Sequence, residues 1–286
     1  MFVGVLTTLA LATASFAENT DSPFEAFFDH WSTRVQQARE TQPEWVPPLM
    51  TLSPLITELV RWDAYDENLG RSAHLLDLGA NKGVFLVPDE STEIDIGLPS
   101  YQKRYGPAPA SGLADYQFLL IKQRLLSANA AEGDYILTAA LAAQAPIGAA
   151  RFTNSTYVIT PTLTGGKGFG NLNFQATTGL ALPTSNRDTL GSTWSTNATA
   201  QYRLARIFWP ELEVNWTRWL GGSQRRGVDQ VFVTVGMIAA PLPITRDLKL
   251  VLGAGFQFAV APAQTYFPAQ APVYRNNIIF TARVLF

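Results

Sequence analysis

The chain offers few groups for covalent or acid–base chemistry: its 286 residues include two histidines, His30 and His74, and no cysteine. An imidazole in reach of a serine hydroxyl and a carboxylate would support acyl transfer. Alternation puts His74 on the outward face of a strand, near its end, and His30 in an N-terminal helical stretch. Neither has an evident nucleophile beside it, so no catalytic residue is assigned. The run Gly165-Gly166-Lys167-Gly168-Phe169-Gly170 resembles a phosphate-cradling loop, but it lacks the Lys-Ser/Thr ending and leads into a strand pattern; it reads as a flexible turn. No His, Asp or Glu cluster has metal-ligand spacing, and no cofactor is expected. A net charge of -2 without a basic stripe argues against a nucleic-acid partner.

The residues that do stand out are charges set into apolar alternation. Arg61, Asp63, Asp77, Glu93, Asp95, Asp115, Lys122, Arg124, Arg203, Glu211, Glu213, Lys249, Arg275 and Arg283 fall on the polar face of their segments. Charges of both signs turned into a narrow enclosure must pair or stay hydrated. They therefore imply either an ion-pair network that holds the wall in shape or a wet path for polar or amphipathic solutes.

The elements that would hold them are strands. In the final segment Tyr274, Ile278, Phe280, Ala282, Val284 and Phe286 share one face, and Arg275, Asn277, Thr281 and Arg283 the other. This is the pattern of a strand with lipid on one side and a polar lumen on the other. Similar segments are expected near 52–65, 73–87, 91–101, 114–126, 134–146, 155–164, 171–183, 193–204, 207–219, 229–240, 247–260 and 273–286. The predicted fold is an all-β, antiparallel transmembrane barrel of about 12 strands (49–286) with a short N-terminal amphipathic helix, both termini in the periplasm and the longer connections outside. The mean hydropathy of +0.05 fits a wall that mixes lipid-facing and lumen-facing residues. Trp62, Trp194, Trp209, Trp216, Trp219 and Tyr101 lie near strand ends, where they could form interface girdles.

Two segments break parity. Between Asp115 and Leu126 the alternation slips, and a bulge near Ile121 would return Lys122 and Arg124 to the lumen. Glu58 sits on the apolar face of the first strand. Upstream, residues 1–17 read as a signal peptide. Residues 18–48 read as an amphipathic helix followed by a linker from Gln42 to Pro48. Phe24, Phe27, Phe28 and Trp31 line one helix face, to be buried on the rim, on the membrane surface or as a plug in the lumen.

The run Gly112-Leu113-Ala114-Asp115 through Lys122-Gln123-Arg124-Leu125-Leu126, then Gly179-Leu180-Ala181-Leu182-Pro183-Thr184, Gln201-Tyr202-Arg203-Leu204 and the closing strand resemble the outer-membrane transporters named for the meta-pathway of phenol degradation. The chain departs from that pattern at Ala114, where a glycine is expected, and in placing Asp115 and Lys122 one residue further apart. The resemblance implies an outer-membrane barrel concerned with solute passage, often of aromatic compounds, and carries no catalytic residues. The expected function is a passive channel or transporter for small solutes, with a structural or surface-interaction barrel of blocked lumen as the alternative. The expected partners are outer-membrane lipid and the barrel assembly machinery, reached through the last strand with Phe286 as the assembly signal.

Overall fold

The computed structural model describes residues 23–223, 225–245, 248–261 and 274–286, and from residue 30 onward their side chains. The expected signal peptide and the Phe24, Phe27 and Phe28 side chains lie outside this set. Among the described residues the chain forms fifteen ladder segments, which reduce to twelve antiparallel strands because three strands are each broken once. They are β1 (Leu59–Gly70), β2 (Ala73–Gly79 and Gly83–Asp89), β3 (Thr92–Gly97 and Tyr101–Tyr105), β4 (Ala110–Leu113 and Tyr116–Ala128), β5 (Tyr135–Ala145) and β6 (Val158–Phe169). β7 (Leu172–Pro183), β8 (Thr193–Tyr202), β9 (Phe208–Trp219), β10 (Asp229–Pro243), β11 (Lys249–Ala261) and β12 (Asn276–Leu285) follow. Each strand pairs with its sequence neighbours. β12 pairs with β1 from Leu59↔Leu285 to Asn68↔Asn276, which closes the barrel.

Period-2 alternation fixes which side chains meet lipid. Phe174, Leu212, Val235, Phe256 and Phe280 are exposed outward, whereas Gln175, Glu211, Thr234, Gln257 and Thr281 are buried inward. Inward polarity is the reverse of a soluble sheet and suits a wall wet on the inside. Trp62, Trp194 and Tyr101 are exposed. Trp209 and Trp219 differ from the girdle expectation: both are buried inside.

Several boundaries move. The first strand starts at Leu59 rather than Leu52, because residues 42–58 run through the lumen as an extended segment. β6 reaches Phe169, so Gly165, Gly166 and Gly168 are strand residues and the turn is at Gly170. The slip in β4 is two irregularities, between Gln117 and Leu119 and between Arg124 and Leu126, that flank the expected position at Ile121. Phe118 is the extra residue that lengthens the Asp115–Lys122 spacing.

Helix α1 (Pro23–Glu40) lies at the end of the barrel where β1 begins and β12 ends. Val35 and Ala38 are buried there against Ile56 and Val87, with Trp31 packed on the same cluster. The indole of Trp31 donates to Glu58 at 2.7 Å, which explains a carboxylate on a face expected to be apolar. Arg39 donates to the Phe286 carbonyl at 2.9 Å and ties the helix to the chain's end.

The wall assignment predicts that Phe280→Arg, in the lipid-facing belt, destabilises the inserted barrel by about 2–4 kcal/mol. Thr281→Ser keeps the inward hydroxyl and should be close to neutral. Urea midpoints of the protein folded into lipid vesicles measure both; similar shifts for the two variants would refute the facing.

Candidate functional site

The site is the lumen, and it is built around a segment that the linker reading did not place there. From Thr41 the chain enters at the terminal mouth, rises to about mid-barrel near Leu49–Ser53 and returns to begin β1. The side-chain amide of Gln42 joins the two arms, donating to the Ile56 carbonyl at 2.8 Å and accepting the Ile56 N–H at 2.9 Å. Pro43, Pro47, Pro48 and Pro54 keep the segment out of any ladder and reduce the N–H groups that need partners.

Buried backbone still demands partners, and the inward charges supply them. Glu211 accepts the Leu49 N–H at 3.1 Å; Glu213 accepts the N–H groups of Met50 at 2.9 Å and Thr51 at 2.7 Å. On the carbonyl side, Arg61 donates to Leu49 at 2.6 Å, and Arg283 donates to Pro48 at 2.9 Å and also to Pro47. Lys122 donates to the Leu55 carbonyl at 2.6 Å, and Glu93 accepts the Thr57 N–H at 2.5 Å. Thr138, Thr164 and Thr177 donate to the Pro54 and Leu52 carbonyls. Cations thus face carbonyls and carboxylates face amides along one strip of chain.

The charges are also paired among themselves. Arg61 meets Asp63 at 2.8 Å and Lys122 meets Glu93 at 2.5 Å, each pair buried. The remaining expected residues have other places. Asp77 accepts from Ala80 N–H and Gln102. Asp95 is buried beside the lumen cavity. Asp115 accepts the N–H groups of Gly148 and Asn154, so it anchors the β5–β6 connection instead of lining a path. Arg124 is at the mouth, where it donates to the Ala38 carbonyl and caps α1, a favourable place for a cation. Arg203 lies over Trp209 and 3.7 Å from Glu44. Lys249 is half-buried at the start of β11, and Arg275 is exposed at the far rim, passing over Gly70.

The segment has shaped sockets as well. Val46 and Leu49 pack with Trp209, Ile238, Ala240, Val251 and Ile279, an apolar pad inside a polar lumen. A Cβ at Gly236 or Gly255 would lie 2.4 or 2.6 Å from a Leu49 methyl, so glycine is what lets that side chain reach the wall. Trp45 lies the same way on Gly166, where a Cβ would come within 2.6 Å of its ring. Its indole N–H points to Asp134, at 3.4 Å in the β4–β5 turn. Burial raises the Asp134 pKa, opposed by Trp45 and Lys167.

Above the segment the described residues leave space in the lumen. A cavity of about 270 Å³ extends toward the loop end, bounded by Thr160, Thr162, Ser195 and Asn197 among others. A second, of about 240 Å³, shares Ala181 with it and lies beneath the connections at that end.

No family model and no curated protein matches the chain. Among solved structures it is similar to an outer membrane channel from Pseudomonas putida F1, at 13% identity over 85% of this chain and 100% of that one, with a TM-score of 0.53. The NanC porin is 8% identical over 79% and 98%, with a TM-score of 0.48. At 13% identity the first likeness is one of fold, that of an outer-membrane β-barrel.

Gly236→Val should expel Leu49 from its socket at the cost of overpacking, about 1–3 kcal/mol, while the barrel stays closed. The expected result is unchanged heat-modifiable migration with new protease cleavage within residues 42–58. Full protection of that segment in the variant would refute the socket.

Proposed function

We propose that the protein is an outer-membrane channel for small solutes, closed on its terminal side by residues 42–58 and opened when that segment is displaced. The observation that carries this reading is the division of the lumen. Toward the loop end lie two cavities that share Ala181, and the terminal half is filled by one extended segment held through hydrogen bonds and a Leu49 socket. The wall is complete without the segment, since β1 pairs directly with β12. The solved relative from Pseudomonas putida F1 is described as a channel, which agrees with this assignment.

In this reading both termini and α1 face the periplasm and the longer connections face outward. Phe286 is the exposed end of the closing strand and the signal for the assembly machinery. The family resemblance directs the search for solutes toward aromatic and amphipathic compounds. The number of bonds on the segment favours one rival, a structural barrel whose lumen stays blocked. The two readings separate on conductance.

In planar bilayers the full chain should conduct little. Deleting residues 23–57 should raise ohmic conductance at least about tenfold, because removing a filler from half the pore leaves hydrated charge rings that pass ions. A deletion variant that migrates as a folded barrel and yet does not conduct would overturn the channel and leave the structural barrel.

A further inference from the structure

β2 is broken at Ala80–Lys82, where Ala80 and Asn81 adopt the left-handed conformation with φ of 48° and 56°. Such backbone costs non-glycine residues about 1–2 kcal/mol each and persists where the surroundings demand it. The break is pinned by the Ala80 N–H on Asp77, the Lys82 N–H on the Gly79 carbonyl and the Leu98 N–H on the Lys82 carbonyl. Its effect is to bring Asn81 and Lys82 onto the lumen cavity.

Lys82 differs from the other cations there. Arg61, Lys122 and Arg283 are bonded to the carbonyls of residues 47–55, whereas the Lys82 amine, half-buried, makes no hydrogen bond or ion pair among the described residues. Four cations (Arg61, Lys82, Lys122 and Arg283) border the cavity against one carboxylate, Asp95. Asp63 and Glu93, behind this lining, are taken up by Arg61 and Lys122. A half-buried ammonium with no hydrogen-bonded partner, reached only at longer range by the Asp63 and Asp95 charges, favours an anion that brings its own negative charge. On the same cavity Leu59, Phe85 and Leu120 present apolar surface.

We infer that the lumen cavity is a binding site for a small amphipathic carboxylate, whose head pairs with Lys82 and whose hydrocarbon part lies against Leu59, Phe85 and Leu120. The inference rests on the channel reading, for which it names the class of solute. Lys122 and Arg283 hold the closing segment and are not free to take the head without releasing it; Lys82 is. Asp95 disfavours a dianion and a second carboxylate.

The test uses the full chain in lipid nanodiscs, with empty nanodiscs subtracted, and hexanoate as the probe in calorimetric titration. Hexanoate should bind saturably and hexanamide should not compete with it. Lys82→Met should weaken binding at least about tenfold, the scale of one charge-assisted hydrogen bond, and Lys82→Arg should retain it within about threefold. Equal binding of hexanoate to Lys82→Met, competition by hexanamide, or saturable binding of hexylammonium in place of hexanoate would overturn the inference. Because binding is read without conductance, its loss in a conducting protein defeats this site alone. Absence of conductance in the deletion variant, with hexanoate still bound, defeats the channel alone.

Discussion

Every buried polar group in a narrow barrel must find a partner, and here two unsatisfied sets complete each other. The inward charges of β1, β3, β4, β9 and β12 would need counter-ions or water, and the irregular backbone of residues 47–57 would need a sheet. Each orphaned backbone group would cost about 1–3 kcal/mol and each unpaired ion several kcal/mol. Glu211, Glu213 and Glu93 receive the amides, while Arg61, Arg283 and Lys122 cover the carbonyls. The parity of five strands is thereby tied to the course of a single segment that belongs to none of them.

The wall was largely legible in the sequence because alternation is local: β11 and β12 show it residue by residue, and the count of twelve strands needs only turn residues between such runs. The plug was not, because an extended segment buried on both sides has the periodicity of a strand. Leu52, Pro54 and Ile56 look like one face of a first strand; Pro54, which has no N–H for a ladder, was the signal against it. Ile279 falls among the polar positions of the last strand by parity, and it is the floor of the Val46–Leu49 pad. Gly166 reads locally as turn and Gly236 and Gly255 carry no local signal, yet each marks where another part of the chain touches the wall. Such contacts join positions more than a hundred residues apart, beyond the reach of any local pattern.

The candidate site divides in the same way. The charged positions could be listed from parity, but not the roles that separate them. Asp115 and Arg124 share the alternation of the lumen charges and serve a connection and a helix terminus. Lys82 directly follows two left-handed residues, Ala80 and Asn81, a break that no alternation predicts. On three successive strands the breaks lie side by side, at Ala80–Lys82, Leu98–Ser100 and Ala114–Asp115, so one sector of the wall departs from regular pleating while the remaining strands run unbroken except for local bulges.

The direct passage of the closing segment into β1, and of β1 onto β12, also sets an order of events. The strip that ends up innermost is made before the wall, and it can be enclosed only when the first and last strands meet. Zipping Leu59 against Leu285 therefore seals residues 42–58 inside, much as a drawstring is caught when a seam is sewn. Once the seam is shut, α1 stands across the terminal mouth, fastened at Phe286 and Arg124. The segment can then withdraw only if the helix goes with it, so the barrel's interior and its rim are mechanically one part.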